Sequence, residues 1–312
     1  MQSCLSTHIA ASLSEKAKAL GFLAIGFLAP SRPPHFDHFL TWLARRRNGA
    51  MTWMERNVEI RADPVRLLEG CRTVISLAYP YPVERPATPD GFAVARYTQP
   101  LEEDYHPRVK GLCRELVLMI REVFPDSRSR VFVDSAPLLE RSIAFAAGLG
   151  FIGKNNMLIV PGHGSYLYLA EILTTAPLAF TSPEPMKDGC GPCMLCVEAC
   201  PTGALESPFT VDAARCLSYL TVEYEGVLTA EAGMKMAPCF LGCDRCQEAC
   251  PYNGDPWKKR TSLPAARDIL AMDEGTFRER LGMTALSRAG LDRVKRNILA
   301  IKGRERPPSC PG

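Results

Sequence analysis

The 312-residue sequence has no basic opening followed by an apolar run, and its longest apolar stretch, residues 21–29, is far too short to cross a bilayer. Neither a secretory leader nor a membrane span is expected, and the chain reads as cytoplasmic. No repeat of solenoid length is present. An excess of one charge is missing too, with 37 Lys and Arg against 34 Asp and Glu and a net charge of +3. With 46% hydrophobic residues, disorder is not expected over most of the length, which suffices for one good-sized core and small satellites.

What the chain does have is cysteine, 13 in all. In a small secreted domain that count would suggest disulfides, but without a leader it points to metal or redox chemistry. Charge, though modest, is uneven. From Trp257 onward thirteen Lys and Arg face six acids, a balance of +7 that leaves −4 for the rest. Such asymmetry fits a polyanionic partner or a solvated helical surface, and the run Arg293, Lys295, Arg296 is the candidate phosphate-binding patch.

Hydrophobic periodicity predicts a helix up to Leu20, a strand over 22–27, a helix over 35–47 and a strand over 73–79. A Pro-rich break at 80–89 is followed by a long amphipathic helix over 107–124. Strands at 130–133, 157–160 and 165–173 and a helix at 137–147 complete an α/β or α+β unit. Residues 181–185, Thr-Ser-Pro-Glu-Pro, read as a linker.

Cys190, Cys193, Cys196 and Cys200, followed by Pro201, have bacterial ferredoxin spacing, in which three close thiolates hold one cubane and the fourth reaches the other. A Cys4 zinc site shows two separated C-x2-C pairs instead. The second run, Cys243, Cys246 and Cys250 before Pro251, lacks its first cysteine, since Phe240 stands at that register. Crossed ligation assigns Cys190, Cys193, Cys196 and Cys250 to one cluster. Cys200, Cys243 and Cys246 go to the other, with either Cys239 or Cys216 as its fourth ligand. Cys4, Cys71, Cys113 and Cys310 are scattered and read as small hydrophobes or incidental thiols.

Two motifs promise more than their context supports. Gly148, Gly150 and Gly153 spell G-x-G-x-x-G, but the run follows a helix and leads into a strand, the reverse of a dinucleotide site. Asp104, Tyr105 and His106 approach a D-x-H-x-x-G loop that could offer histidine to cobalt. Val109 stands where the turn needs glycine, so a turn into the long helix is the expected role.

Around the cysteines the sequence resembles the epoxyqueuosine reductase family. The matching segments are Trp53–Asn57, Ala95–Tyr97, Asp104–His106, Val133–Arg141, Gly150–Asn155, Cys200–Ala204 and Arg215–Thr221, spread in family order over nearly the whole chain. The resemblance implies an α+β protein. A nitroreductase-like cobalamin-binding catalytic domain (1–178) is followed by a ferredoxin-like module with two 4Fe-4S clusters (179–256) and a basic helical segment (257–312). It implies cobalamin held without a protein ligand on cobalt, with Asn57, Tyr97, Asp134, Lys154, Asn155, Leu158 and Ser218 at that cofactor. Asp134 is then the proton donor and Cys216 the fourth ligand of the second cluster. Residues 134–137, Asp-Ser-Ala-Pro, also make a good helix start, so capping is the competing role for Asp134.

The implied reaction turns epoxyqueuosine into queuosine in the tRNA anticodon loop. The expected partners are that stem-loop and an external low-potential electron donor, with no membrane and action as a monomer. Many members continue into a C-terminal helical-repeat extension absent from this sequence, so a smaller grip on tRNA is expected. Two alternatives compete. A reductive dehalogenase also pairs cobalamin with two clusters, but it generally carries a twin-arginine signal, and Arg45, Arg46 and Arg47 lie mid-chain. A non-catalytic electron-transfer subunit would lack the corrinoid.

Overall fold

A computed structural model describes residues 2–99, 103–254 and 259–303. Lys258, Arg304, Arg306 and Cys310 lie outside the described residues. The first unit is built on an antiparallel sheet of β1 (Ala24–Leu28), β2 (Thr73–Pro80), β3 (Ser129–Phe132) and β4 (Leu167–Thr174), in the order β1-β2-β4-β3. The central strands are almost wholly buried because both faces are covered.

Over one face lie α1 (Gln2–Ala19) and α2 (Tyr105–Val123). Helix α2 starts where Asp104 accepts the His106 N–H at 2.9 Å, the capping turn its sequence suggested. Its buried residues Tyr105, Val109, Cys113, Leu116, Val117 and Ile120 recur at helical spacing. With Leu13, Ile75, Leu77, Ala170 and Ile172 they form the main core. The other face carries α3 (Glu140–Ala146), packed through Ile143 on Val74, Phe132 and Leu173.

The expected helix over 137–147 is shorter than predicted. Its first turn is occupied by a loop in which the Asp134 N–H donates to Glu140 Oε1 at 2.7 Å, folding the chain back over the helix start. Leu139, not Asp134, is the residue before α3. The glycine run after α3 does lead into a strand, Phe151–Ile152. A Cβ on Gly150 would lie 2.1 Å from the Ile159 carbonyl, so this glycine serves close backbone approach.

The cysteine-rich part is joined to the first unit by backbone pairing. Strand Cys239–Leu241 runs parallel to Ala93–Val94, in a sheet with Arg85–Ala87 and Lys259–Thr261. Buried Arg85 pairs with Glu248 at 2.7 Å across this junction. One apolar cluster then runs from Val94 and Leu217 through Met236, Phe240 and Leu241 to α4 (Leu291–Lys302). The cluster module and the C-terminal helices therefore share a core. No described helix is long and apolar enough to cross a membrane.

Candidate active site and cluster-binding cysteines

Two residues beyond β3 the chain takes a left-handed turn at Asp134, φ +46°. An L-residue adopts that conformation at a cost, and aspartate tolerates it better than most. The turn presents the Asp134 side chain to solvent, 67% exposed, while its Oδ2 accepts a hydrogen bond from the Tyr105 hydroxyl at 2.7 Å. Tyr105 stacks on Tyr168 at 4.3 Å and meets Tyr97 edge-on, so an aromatic wall stands beside the carboxylate. Burial, and then the Asp134 charge, raise the Tyr105 phenol well above its ordinary range and keep its proton on.

His106 is tethered. Its Nδ1 lies 2.5 Å from Asp104 Oδ1 and its Nε2 lies 2.8 Å from Arg288, with Asp134 Oδ2 at 3.8 Å. Partial burial works against the Asp104 charge, but the hydrogen bonds from His106 hold its carboxyl below the usual range. With both ring nitrogens engaged, His106 offers no free donor to a metal. That fits a corrinoid held without a protein ligand, the arrangement the sequence resemblance implies. Tyr105 and His106 were the functional neighbours that sequence reasoning missed. The D-x-H motif flagged them, but only as a possible cobalt ligand.

The other cofactor candidates divide. Asn57 is exposed with φ +54°, and Tyr97 and Ser218 are half-buried. Leu158 is packed in a small core with Ala144, Leu149 and Val160. Lys154 is buried, and its Nζ donates to the carbonyls of Gly191 at 2.6 Å and Cys193 at 2.9 Å, bracing the first cysteine loop. Asn155 Nδ2 reaches the Cys246 carbonyl at 3.4 Å. These two side chains bridge to the cysteine module.

Cys190, Cys193, Cys196 and Cys250 line one cavity of about 210 Å³, together with Lys154, Asn155 and Tyr252. Among the described residues no group of three His, Cys, Asp or Glu converges tightly enough for a single ion, so these four thiols ring a space rather than a point. Burial pushes the Cys243 thiol up to about 12, and the charges of Cys239 and Cys216 add to it. Cys246 is raised further by burial, Cys243 and Cys216, and Cys216 by burial and Cys200. Cys216 thus has charge contacts with Cys200, Cys243 and Cys246, and Cys239 has one with Cys243. Cys239 is buried in its strand with Sγ 3.4 Å from the Leu241 and Gly242 carbonyls.

The expected phosphate-binding patch is a correction. Arg296 donates to the Leu220, Tyr224 and Gly226 carbonyls, Arg293 to Val222 and Glu225, and Lys295 to Met272. Arg293 and Arg296 close the carbonyl end of helix Leu217–Val222 and the loop after it, while Lys295 closes the end of helix Ala266–Ala271. Exposed cations among the described residues of this segment include Arg260, Arg267, Arg278, Arg280 and Arg288.

Residues 189–253 match the family model for a 4Fe-4S double cluster binding domain, and residues 61–135 match that for epoxyqueuosine reductase QueG, DUF1730. An epoxyqueuosine reductase from Cyclobacterium marinum is 36% identical over 270 residues, 84% of this chain and 86% of that protein. The chain belongs to the epoxyqueuosine reductase family. It is accordingly an oxidoreductase with two 4Fe-4S sites. The fold agrees. An epoxyqueuosine reductase solved with an epoxyqueuosine-modified tRNA-Tyr stem loop superposes with a TM-score of 0.83 at 29% identity, over 95% of this chain and 81% of that one. A Bacillus subtilis epoxyqueuosine reductase, described with an aspartate catalytic loop swung out of its active site, gives 0.80 at 29% identity over 95% and 81%.

Proposed function

We propose that this chain reduces epoxyqueuosine to queuosine in the tRNA anticodon loop, with Asp134 delivering the proton that leaves in water. Opening the epoxide to an alkene consumes two electrons and two protons and releases one water. The observation that carries the reading is the exposed Asp134 carboxyl, held by Tyr105 on a loop of a family member that also carries two cysteine sets.

The first cluster would be held by Cys190, Cys193, Cys196 and Cys250, and the second by Cys200, Cys216, Cys243 and Cys246. In favour of Cys216 over Cys239 are its charge contacts with Cys200, Cys243 and Cys246 and the turning of the Cys239 thiol toward backbone carbonyls. When bound, the clusters supply single electrons and cobalamin supplies the bond-breaking reduction. Asn57, Tyr97 and Ser218, left open to solvent or half-buried, would line the corrinoid. Lys154, Asn155 and Leu158 would support that wall from behind. Tyr105 orients the Asp134 carboxyl, and the stacked tyrosines exclude water from its inner side.

The test is anaerobic turnover of an epoxyqueuosine-containing tRNA stem-loop by protein reconstituted with iron, sulfide and cobalamin. Loss of one oxygen from the nucleoside, read by mass spectrometry, is the expected result. No conversion by protein with full iron content and a corrinoid spectrum would overturn the reading. A donor protein of low potential is the expected physiological reductant.

A further inference from the structure

The most anomalous group in the first unit is Glu171, a carboxyl in the middle of central strand β4 with no solvent exposure. It points to the α3 side of the sheet, opposite its neighbours Ala170 and Ile172, which face α1 and α2. On one side its register partner is Ser76, whose hydroxyl donates to Glu171 Oε1 at 3.3 Å. On the other it is Phe132, the last residue of β3 before the Asp134 turn. Its Oε2 has no donor of its own. Glu140, at the start of α3, meets it side chain to side chain, and its Oε1 accepts the Asp134 N–H at 2.7 Å.

Two carboxylates in contact repel, and a pair in which Glu171 is fully buried and Glu140 half-buried resolves this by keeping one proton between them. With that proton the geometry closes into one chain of donors. Ser76 donates to Glu171 Oε1, Glu140 Oε1 accepts from the Asp134 backbone, and a proton on the otherwise partnerless Glu171 Oε2 would link the two carboxyls.

We propose that Glu140 and Glu171 form a one-proton carboxyl pair that positions the Asp134 loop for proton delivery. The pair touches neither substrate nor cofactor. Its work is to hold Asp134 in its left-handed turn, a conformation that costs about 1–3 kcal/mol and persists only where surrounding contacts impose it. This rests on the assignment of Asp134 above.

The electrostatics run the same way. Burial, then the Asp134 charge, push Glu140 above its ordinary range, and burial, then the Glu140 charge, push Glu171 up more strongly, so Glu171 is the member that holds the proton. The other titratable groups near the pair are Asp134 and Arg141 on the same side and, through the sheet, Cys113 of α2. Arg141 is the single cation among them, and its Nη1 is bound to the Asn156 carbonyl. Glu171, the fully buried and more strongly raised member, therefore keeps its proton at neutral pH.

Three readouts on the full-length protein test this. Infrared difference spectra should show a protonated carboxyl band at pH 7 that is missing from Glu171→Gln. Hydrogen exchange at the Asp134 amide should accelerate at least tenfold in Glu140→Ala but not in Glu140→Gln, whose amide oxygen still accepts that N–H. In turnover, Glu140→Ala should lower kcat about tenfold with KM for the stem-loop unchanged. Glu140→Gln should restore most of kcat. A wild-type protein without the carboxyl band at pH 7, or Glu140→Ala with unchanged exchange at Asp134, would overturn the proposal. The first two readouts need no substrate, so they decide the matter even if the reaction assigned to the chain is wrong.

Discussion

Replacing Asp134 by Asn removes one proton while keeping the shape of its site. Asparagine tolerates φ +46° as well as aspartate does, its amide oxygen can still accept from the Tyr105 hydroxyl at 2.7 Å, and the backbone N–H to Glu140 is untouched. The side chain is 67% exposed, so the change adds no desolvation cost. Because Asp134 does not cap α3, no capping energy is lost either. Stability should change by less than about 0.5 kcal/mol. A positioned general acid contributes about 10²–10⁴ in rate, which at about 1.4 kcal/mol per decade adds about 3–5 kcal/mol to the barrier. Single-turnover conversion of the modified stem-loop by pre-reduced protein measures this. Iron content, corrinoid absorbance and thermal unfolding recorded alongside should be those of the wild type. Turnover by Asp134→Asn within about threefold of wild type would refute proton delivery by this residue.

Cys216→Ala should lose one cluster and Cys239→Ala should keep both, read by iron content and electron paramagnetic resonance; the reverse pattern would move the fourth ligand to Cys239. Arg296→Ala should lower stability by about 2–4 kcal/mol, because a cation bound to three carbonyls is removed, and denaturant unfolding would show it. Exposed Arg278 and Arg280, changed to Glu, should instead weaken stem-loop binding and flatten its salt dependence without altering unfolding. Asp104→Ala should cost about 1 kcal/mol, or about 2 °C in Tm, by removing the α2 cap. Since Asp104 is held below its ordinary value of 3.8, its stabilisation is complete above that pH and lost as pH falls through the lower folded value. The difference in Tm between variant and wild type should therefore close in acid.

Much of the site was legible because its information is local. Ligand spacing in Cys190-x2-Cys193-x2-Cys196-x3-Cys200 is imposed by the size of a cluster on a short stretch of chain, and it points to iron-sulfur chemistry with no knowledge of the fold. The same holds for α2, whose apolar spacing and capping Asp104 both lie within one segment. The segments around Asp134 identified the family for a similar reason, each being a short run read by itself.

The remainder depended on what distant segments do to one another. Residues 134–137 look like a helix start by themselves, and it is the Glu140 carboxylate that turns Asp134 away from capping and out to solvent. Lys154 reads as a solvated or cofactor-facing charge until the fold sets the Gly191 and Cys193 carbonyls against it. Arg293, Lys295 and Arg296 read as a phosphate-binding patch until helix Leu217–Val222 presents carbonyls to the two arginines and Met272 presents one to the lysine. No pattern in β4 marks Glu171 as unusual. Only the register that puts it between Ser76 and Phe132, beneath α3, buries a carboxyl there and gives it a proton to share. Spacing along the chain determined which atoms could hold a metal, whereas the partner of each charged side chain was decided by packing between segments far apart in sequence.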